Sequence, residues 1–381
     1  MVSFALAAQA APGVSGGLQS ELRVTRPQGI EPAAPEWLIS PWGAAHYAWP
    51  GTRAELRYSP RFVLRYQPSQ PSIPVAAEML HTLSGEVRYR PWGALESWAR
   101  IGFERGRVEV GPLRSPLAIT EVGATTVPSV TDVEYLNASA SLGLSARVDR
   151  RTSWSSTFGY RFSGDLRDRG GFTSSTPLPL QQRPEWTTSV EHALTRRDAL
   201  LARASASGVF INQGWILQAD AMGGWRHVLS RRASLEGGLG LGAQRRDDPQ
   251  RVVPMPVGNL AISYDGPPRA PLAARAEVRA LPYVDPLTGH AYARTDASFA
   301  ASWSLMRAFR LHSLVAAGVP LGREALRYDA AGYADCGATL LLPRGASLAA
   351  GVRWSVQRLI VGADRPRTDW GAFLGFSYGT K

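Results

Sequence analysis

A single cysteine, Cys336, stands in 381 residues, so the chain can build neither a disulfide framework nor a cysteine zinc site. Lysine is almost missing too: of 42 basic residues only Lys381 is one. No run of 18 apolar residues occurs, which removes a membrane-spanning helix. Charged residues reach only 19%, too few for a solvated, disordered chain. The mean hydropathy of −0.14 excludes a polytopic helical membrane protein. Long helices are disfavoured by 38 Gly and 28 Pro. An all-β chain is left, soluble or spanning an outer membrane, and 41.2 kDa is ample for a sizeable core.

The formal charge of +11 does not mark a nucleic-acid protein. The arginines alternate with apolar residues along the whole chain and form no basic patch, so no nucleic-acid partner is expected. The first ten residues carry a short apolar stretch and an A-x-A site at Ala8-Gln9-Ala10. They read as a signal-peptide remnant over 1–10, without a basic n-region, followed by one domain over 11–381. An Ala-rich N-terminus of no special role is the other reading.

The dominant signal has a period of two residues. Leu136, Ala138, Ala140, Leu142, Leu144, Ala146 and Val148 are apolar, while Asn137, Ser139, Ser141, Gly143, Ser145 and Arg147 lie between them. A strand places these sets on opposite faces. The pattern recurs at Ala54–Tyr66, at Trp154–Phe162, at Leu235–Leu241, at Leu348–Trp354 and at Trp370–Tyr378. Short turns at 90–93, 149–152, 195–198, 230–233, 306–308 and 342–345 alternate with longer Pro/Gly/Asp-rich connections at 111–131, 167–184, 246–255, 284–289, 320–331 and 359–368. One end of each hairpin is tight and the other elaborated, as in a closed antiparallel transmembrane β-barrel with short periplasmic turns and longer outer loops. Parity predicts about 18 strands, with Leu18–Arg26 and Trp37–Trp49 supplying the first pair, and 16 as the alternative if they do not.

A soluble β-sandwich alternates as well. Many strands here are longer than its usual five or six residues. Its inner faces would also need bulkier side chains than the many alanines seen. Aromatics near strand ends (Trp49, Trp92, Trp154, Trp186, Trp225, Tyr264, Tyr292, Trp354, Trp370 and Tyr378) fit interfacial girdles.

A charge on the lipid side costs about 2–4 kcal/mol at the bilayer midplane. That penalty assigns the charged members of each strand to the water-filled interior. The inner set then includes Glu55, Arg57, Arg61, Arg65, Glu86, Arg88, Arg100, Glu104, Arg147 and Arg161. It continues with Asp220, Arg226, Glu236, Arg275, Glu277, Arg279, Arg294, Asp296 and Arg353. Arginine outnumbers acid in this set, which predicts a positive field favouring anionic solutes or polymers. Arg–Glu ladders that merely brace the wall are the plain alternative for any one residue. The 111–131 and 167–184 connections could fold inward or stay exposed.

The last strand, Asp369 to Tyr378, resembles the C-terminal assembly signal of bacterial outer-membrane proteins through Asp369, Gly371, Leu374 and Phe376. The resemblance implies recognition by the barrel-assembly machinery through strand pairing. The usual terminal aromatic is replaced by Gly379-Thr380-Lys381. More narrowly, the strand Leu56–Tyr66 and the basic turns Arg150-Arg151, Arg196-Arg197 and Arg231-Arg232 resemble the Arg- and Ala-rich barrels of myxobacteria-like delta-proteobacteria. That resemblance implies an exit for secreted polysaccharide in the outer membrane of a Gram-negative bacterium, with lipid around it and a periplasmic polysaccharide-export protein as partner.

No catalytic or metal-binding constellation is legible, and no cofactor is expected. The six histidines have no metal-ligand spacing. His312 and Ser313 are strand neighbours that point to opposite faces. The glycines at 237–242 sit in an alternating strand and open no helix, which removes a nucleotide loop. The sequence therefore predicts a pore for a hydrophilic, anionic solute or polymer. A non-conducting scaffold or surface-receptor barrel is the alternative, and a membrane-embedded lipid-modifying enzyme the third. A Ser–His–acid cluster at one rim would favour an enzyme.

Overall fold

A computed structural model describes residues 12–27, 34–67, 70–110, 130–166, 180–211, 214–247, 252–267, 271–284, 291–321, 330–358 and 367–380. The signal-peptide reading of 1–10 and most of the 111–131 and 167–184 connections lie outside the described residues.

The described chain is almost entirely strand. In order these are β1 (Gly13–Pro27), β2 (Ala34–Trp49), β3 (Thr52–Gln67), β4 (Gln70–Trp92), β5 (Leu95–Val110) and β6 (Val130–Arg147). Next come β7 (Thr152–Asp165), β8 (Gln181–Ala193), β9 (Asp198–Ile211), β10 (Gly214–Ser230), β11 (Ala233–Arg246) and β12 (Val252–Asp265). The last six are β13 (Leu272–Val284), β14 (Ala291–Met306), β15 (Phe309–Pro320), β16 (Ala330–Leu341), β17 (Ala346–Arg358) and β18 (Arg367–Thr380). Each strand pairs antiparallel with its sequence neighbour, and β1 pairs with β18 from Gly16–Thr380 to Pro27–Asp369. The sheet is thereby a closed barrel of 18 strands, which leaves no free edge. The pair Leu18–Arg26 and Trp37–Trp49 does form strands, so the count is 18 and not 16.

Backbone economy explains the closure. Without water in the hydrocarbon, each N–H and C=O must pair within the protein, and a closed sheet achieves this. The short turns after β2, β4, β6, β8, β10, β12, β14 and β16 lie at the end of the barrel that also holds Gly13 and Thr380. The turn after β16 is a single 3-10 turn at Pro343–Gly345.

The two faces separate as the period-two pattern requires. Leu56, Tyr58, Ile101, Phe103, Leu142, Phe158, Leu239, Val352, Leu374 and Phe376 are large apolar side chains exposed on the outer face. Polar and charged groups occupy the other face, several of them fully buried, including Glu36, Gln244 and Gln357. The core of this protein is thus its polar side. One girdle expectation fails: Tyr292 is buried at 3% exposure and packs on Tyr283, 5.3 Å between ring centres. Tyr292 has the parity of Arg294 and Asp296, so it joins the inner set despite standing at a strand end.

Candidate functional site: the inner wall of the barrel

The arginines grouped by parity stand among carboxylates from neighbouring strands. Arg61 of β3 meets Glu78 of β4 at 3.1 Å, and Arg65 meets the buried Glu36 of β2 at 2.8 Å. Glu36 also holds Arg23 of β1 at 2.8 Å. Glu86 receives both Arg88 and Arg100, the latter at 3.2 Å. Glu104 accepts a hydrogen bond from Asn137 at 3.0 Å.

The opposite wall repeats the arrangement. Arg226 pairs with Glu191 of β8. Glu277 bridges Arg275, at 3.0 Å, and Arg279. Arg294 reaches Asp296 at 2.7 Å, and Arg353 joins Glu21 of β1 to Asp335 of β16, both at 2.9 Å. Asp220 accepts from Ser205, and Glu236 from Asn259 at 3.2 Å.

Glu21, Glu36, Glu78, Glu191 and Asp335 were missing from the sequence-level inner set. Their parity matched it, but which strand faces which arginine was unknown before the register. They correct the expected charge balance, because much of the positive wall is neutralised. Arg57, Arg147, Arg161 and Arg203, with Arg53 beside them in parity, have no carboxylate within ion-pair distance among the described residues. Arg57 instead lies over the Trp42 ring, 4.5 Å from its centre. Arg100 lies over Trp98 at 4.6 Å and Arg353 over Phe373 at 4.1 Å. Guanidinium stacked on a ring is held in place while its N–H edges remain able to donate.

A second missed feature is at the short-turn end. Ser15 Oγ of β1 lies 2.6 Å from His46 Nε2 of β2, and His46 Nδ1 lies 3.6 Å from Glu55 of β3. No sequence signal marks it, since Ser15 and His46 are 31 positions apart. His312 does point to the opposite face from Ser313: it meets Asp335 at 3.2 Å, while Ser313 meets the exposed Cys336.

The outer face has few charges among the described side chains. Arg105 and Glu134 pair there at 3.8 Å, with Arg107 beside them, close to the long-connection end. Near an interface such groups cost only about 0–1 kcal/mol, because long side chains snorkel to water. His192 and His227 also have outer-face parity, at the short-turn end; His227 meets Asp198 at 2.7 Å and stacks on Trp225. Asp369 and Gly371 of β18 are buried, and Leu374 and Phe376 lie on the exposed apolar face.

Comparison with known proteins adds family and fold. The model of the EpsX exopolysaccharide export family matches residues 101–380, well over half the chain. Among solved structures the chain is similar to Pseudomonas aeruginosa OpdO (TM-score 0.51, 11% identity) and OpdL (0.50, 12%), and to Acinetobacter baumannii OccAB2 (0.50, 9%). Each alignment covers 97% of this chain, and 97%, 98% and 98% of the respective structures. At such identity the likeness is one of fold: an 18-stranded barrel of the outer-membrane porin type. No curated protein matches the chain.

Proposed function

The chain belongs to the EpsX exopolysaccharide export family, and we propose that it forms an outer-membrane pore through which an acidic polysaccharide leaves a Gram-negative cell. The short-turn end faces the periplasm and the long connections face outward, as the asymmetry of such barrels requires. The observation that carries the substrate class is a set of inner-face arginines with no carboxylate partner among the described residues, which includes Arg53, Arg57, Arg147, Arg161 and Arg203. Paired arginines such as Arg61 and Arg279 brace the wall, while unpaired ones offer N–H donors to a passing carboxylate, sulfate or phosphate.

The pore-lining group consists of Arg57, Arg61, Arg65, Glu86, Arg88, Arg100, Glu104, Arg147, Arg161, Arg226, Arg275, Glu277, Arg279, Arg294 and Arg353. Asp369, Gly371, Leu374 and Phe376 of β18 present the assembly machinery with the strand that later closes on β1. A periplasmic export protein delivers the polymer to the short-turn end. Transport is threading through a hydrated bore, driven by what pushes the polymer in.

Single-channel recording of the purified protein in a planar bilayer tests this reading. Steady conductance with anions preferred over cations is expected. Cation preference in a protein that inserts and conducts would overturn the acidic-substrate assignment.

A further inference from the structure

Three side chains at the short-turn end of the bore stand in an order that passage of a polymer does not require. Ser15, His46 and Glu55 belong to the inner sets of three adjacent strands. The imidazole lies between a hydroxyl at 2.6 Å from Nε2 and a carboxylate at 3.6 Å from Nδ1. Each ring nitrogen thus has its own partner. With the proton on Nδ1 facing Glu55, Nε2 is free to accept the proton of Ser15, which is the arrangement that activates a serine nucleophile. The carboxylate distance is one that tightens around bound substrate in such sites.

The order is particular to this place among the described residues. Thr152 contacts both His192 and Asp149, so there the hydroxyl and not the imidazole is in the middle. His81 meets only a tyrosine hydroxyl, and His227 and His312 meet carboxylates without a serine on the other nitrogen. Surroundings also fit. His46 and Glu55 have side chains 43% and 50% exposed toward the bore, while Ser15 is nearly buried.

On the inner face Ser15 is flanked by Gly13 and Gly17. A Cβ at Gly13 would meet only the Cβ of His46, at 4.0 Å, so space is open there. At Gly17 the space is filled by the Trp42 indole, which carries Arg57. A cavity of about 400 Å³ adjoins Glu55 and is lined by Arg53, Arg88 and Arg100 as well.

We propose that Ser15, His46 and Glu55 form a serine-hydrolase site that removes small acyl groups, O-acetyl esters, from an acidic polysaccharide entering the bore. The substrate class rests on the export reading above; the hydrolytic chemistry does not. Ser15 Oγ adds to the ester carbonyl carbon as His46 Nε2 takes its proton. The carbon–oxygen bond to the sugar breaks, and the sugar oxygen leaves with that proton. Water then adds to the acyl-Ser15 ester with His46 as base, releasing acetic acid and restoring the Ser15 hydroxyl. Overall, ester and water become alcohol and acid, with no change of oxidation state. Glu55 acts through His46 and is a positioning residue that stabilises the imidazolium. The open space beside Gly13 leaves room for an acyl group, and Arg53 and Arg57 hold the carboxylates of the polymer.

The full chain, folded in detergent micelles, is tested with a fluorophosphonate probe, with p-nitrophenyl acetate and with O-acetylated polygalacturonate. Covalent labelling mapped to Ser15 and acetate release from both esters are expected. S15A abolishes labelling, H46A lowers the rate of acetate release roughly 100-fold or more, and E55Q lowers it to a smaller degree. S15A removes one oxygen and keeps the fold, which conductance of the same preparation checks.

No labelling and no hydrolysis by a conducting preparation would overturn the proposal. Hydrolysis persisting in S15A would do so too. Hydrolysis of p-nitrophenyl acetate with Ser15 labelling, in a protein that never conducts, would uphold the site and sink the pore reading instead. Activity on both esters with conductance supports both.

Discussion

The indole of Trp98 on β5 lies across Gly143 on the neighbouring strand β6, so closely that a Cβ at residue 143 would enter the ring. The Trp42 ring also lies close against Gly17 and the Phe373 ring against Gly351, and each of the three rings carries an arginine: Arg57 on Trp42, Arg100 on Trp98 and Arg353 on Phe373. Glycine, ring and guanidinium thus recur together on the inner wall. G143A should therefore overpack the wall and destabilise the barrel by about 1–3 kcal/mol. Urea unfolding in micelles reads this; an unchanged midpoint would show that Trp98 rotates away freely.

Glu36 is fully buried and neutralises two arginines, Arg23 and Arg65, from the strands on either side. Removing it leaves two guanidinium groups competing for what remains. E36A should cost about 3–5 kcal/mol, the amount typical of breaking a buried pair by deleting one partner. Exchange of Ser141, in the bore, for alanine should stay within about 0.5 kcal/mol by the same denaturant series.

The assignment of faces is tested by placing one charge on each. Ile101 is on the exposed apolar face and Ser141 on the inner one. I101R should destabilise the protein in lipid vesicles by about 2–4 kcal/mol, whereas S141R should be tolerated and shift ion selectivity toward anions. Equal costs would contradict a lipid-facing outer surface.

Unpaired arginines and paired ones should differ in conductance. Replacing Arg57, Arg147, Arg161 and Arg203 together with serine should remove most of the anion preference. Replacing the braced Arg61 should shift selectivity little and stability more, since it leaves Glu78 buried without that partner. Reversal potentials in a salt gradient separate the two effects.

Asp149, in the turn between β6 and β7, accepts hydrogen bonds from the backbone N–H of Arg151 at 2.6 Å and of Thr152 at 2.8 Å. The Arg151 N–H leads the effects that hold its carboxyl below the ordinary value of 3.8, with the Thr152 hydroxyl next. A lowered carboxyl stabilises the folded turn fully above its ordinary value and loses that contribution as pH falls through the lowered one. Amide exchange at Arg151 and Thr152 should accelerate only in strong acid, and D149N should exchange fast at neutral pH. A parent protein already exchanging fast at neutral pH would contradict this.

Much of the architecture was legible because one physical rule repeats along the chain. Leu142 and Ser141 differ in polarity at every step of their strand, and a strand converts that into two faces. The turn spacing and the parity of the last strand gave 18 strands once Leu18–Arg26 and Trp37–Trp49 were counted as a first pair, with 16 otherwise. Tyr292 shows where position alone misleads: it stands at a strand end yet follows the inner parity of Arg294. Arg105 and Glu134 show the converse, since the cost of a charge fades near the interface and the rule that sorts charges inward weakens there.

Period-two alternation, with strand length and the asymmetry of the connections, pointed to the barrel, its inside and outside, and which arginines meet water, because side-chain direction on a strand is local. Register and closure were decided only in three dimensions. They brought Glu36 between Arg23 and Arg65, left Arg57 on Trp42 without a carboxylate, and set His46 between Ser15 and Glu55. Contacts between strands depend on how far each strand slides past the next, and a face pattern of period two is satisfied equally by any slide of two residues.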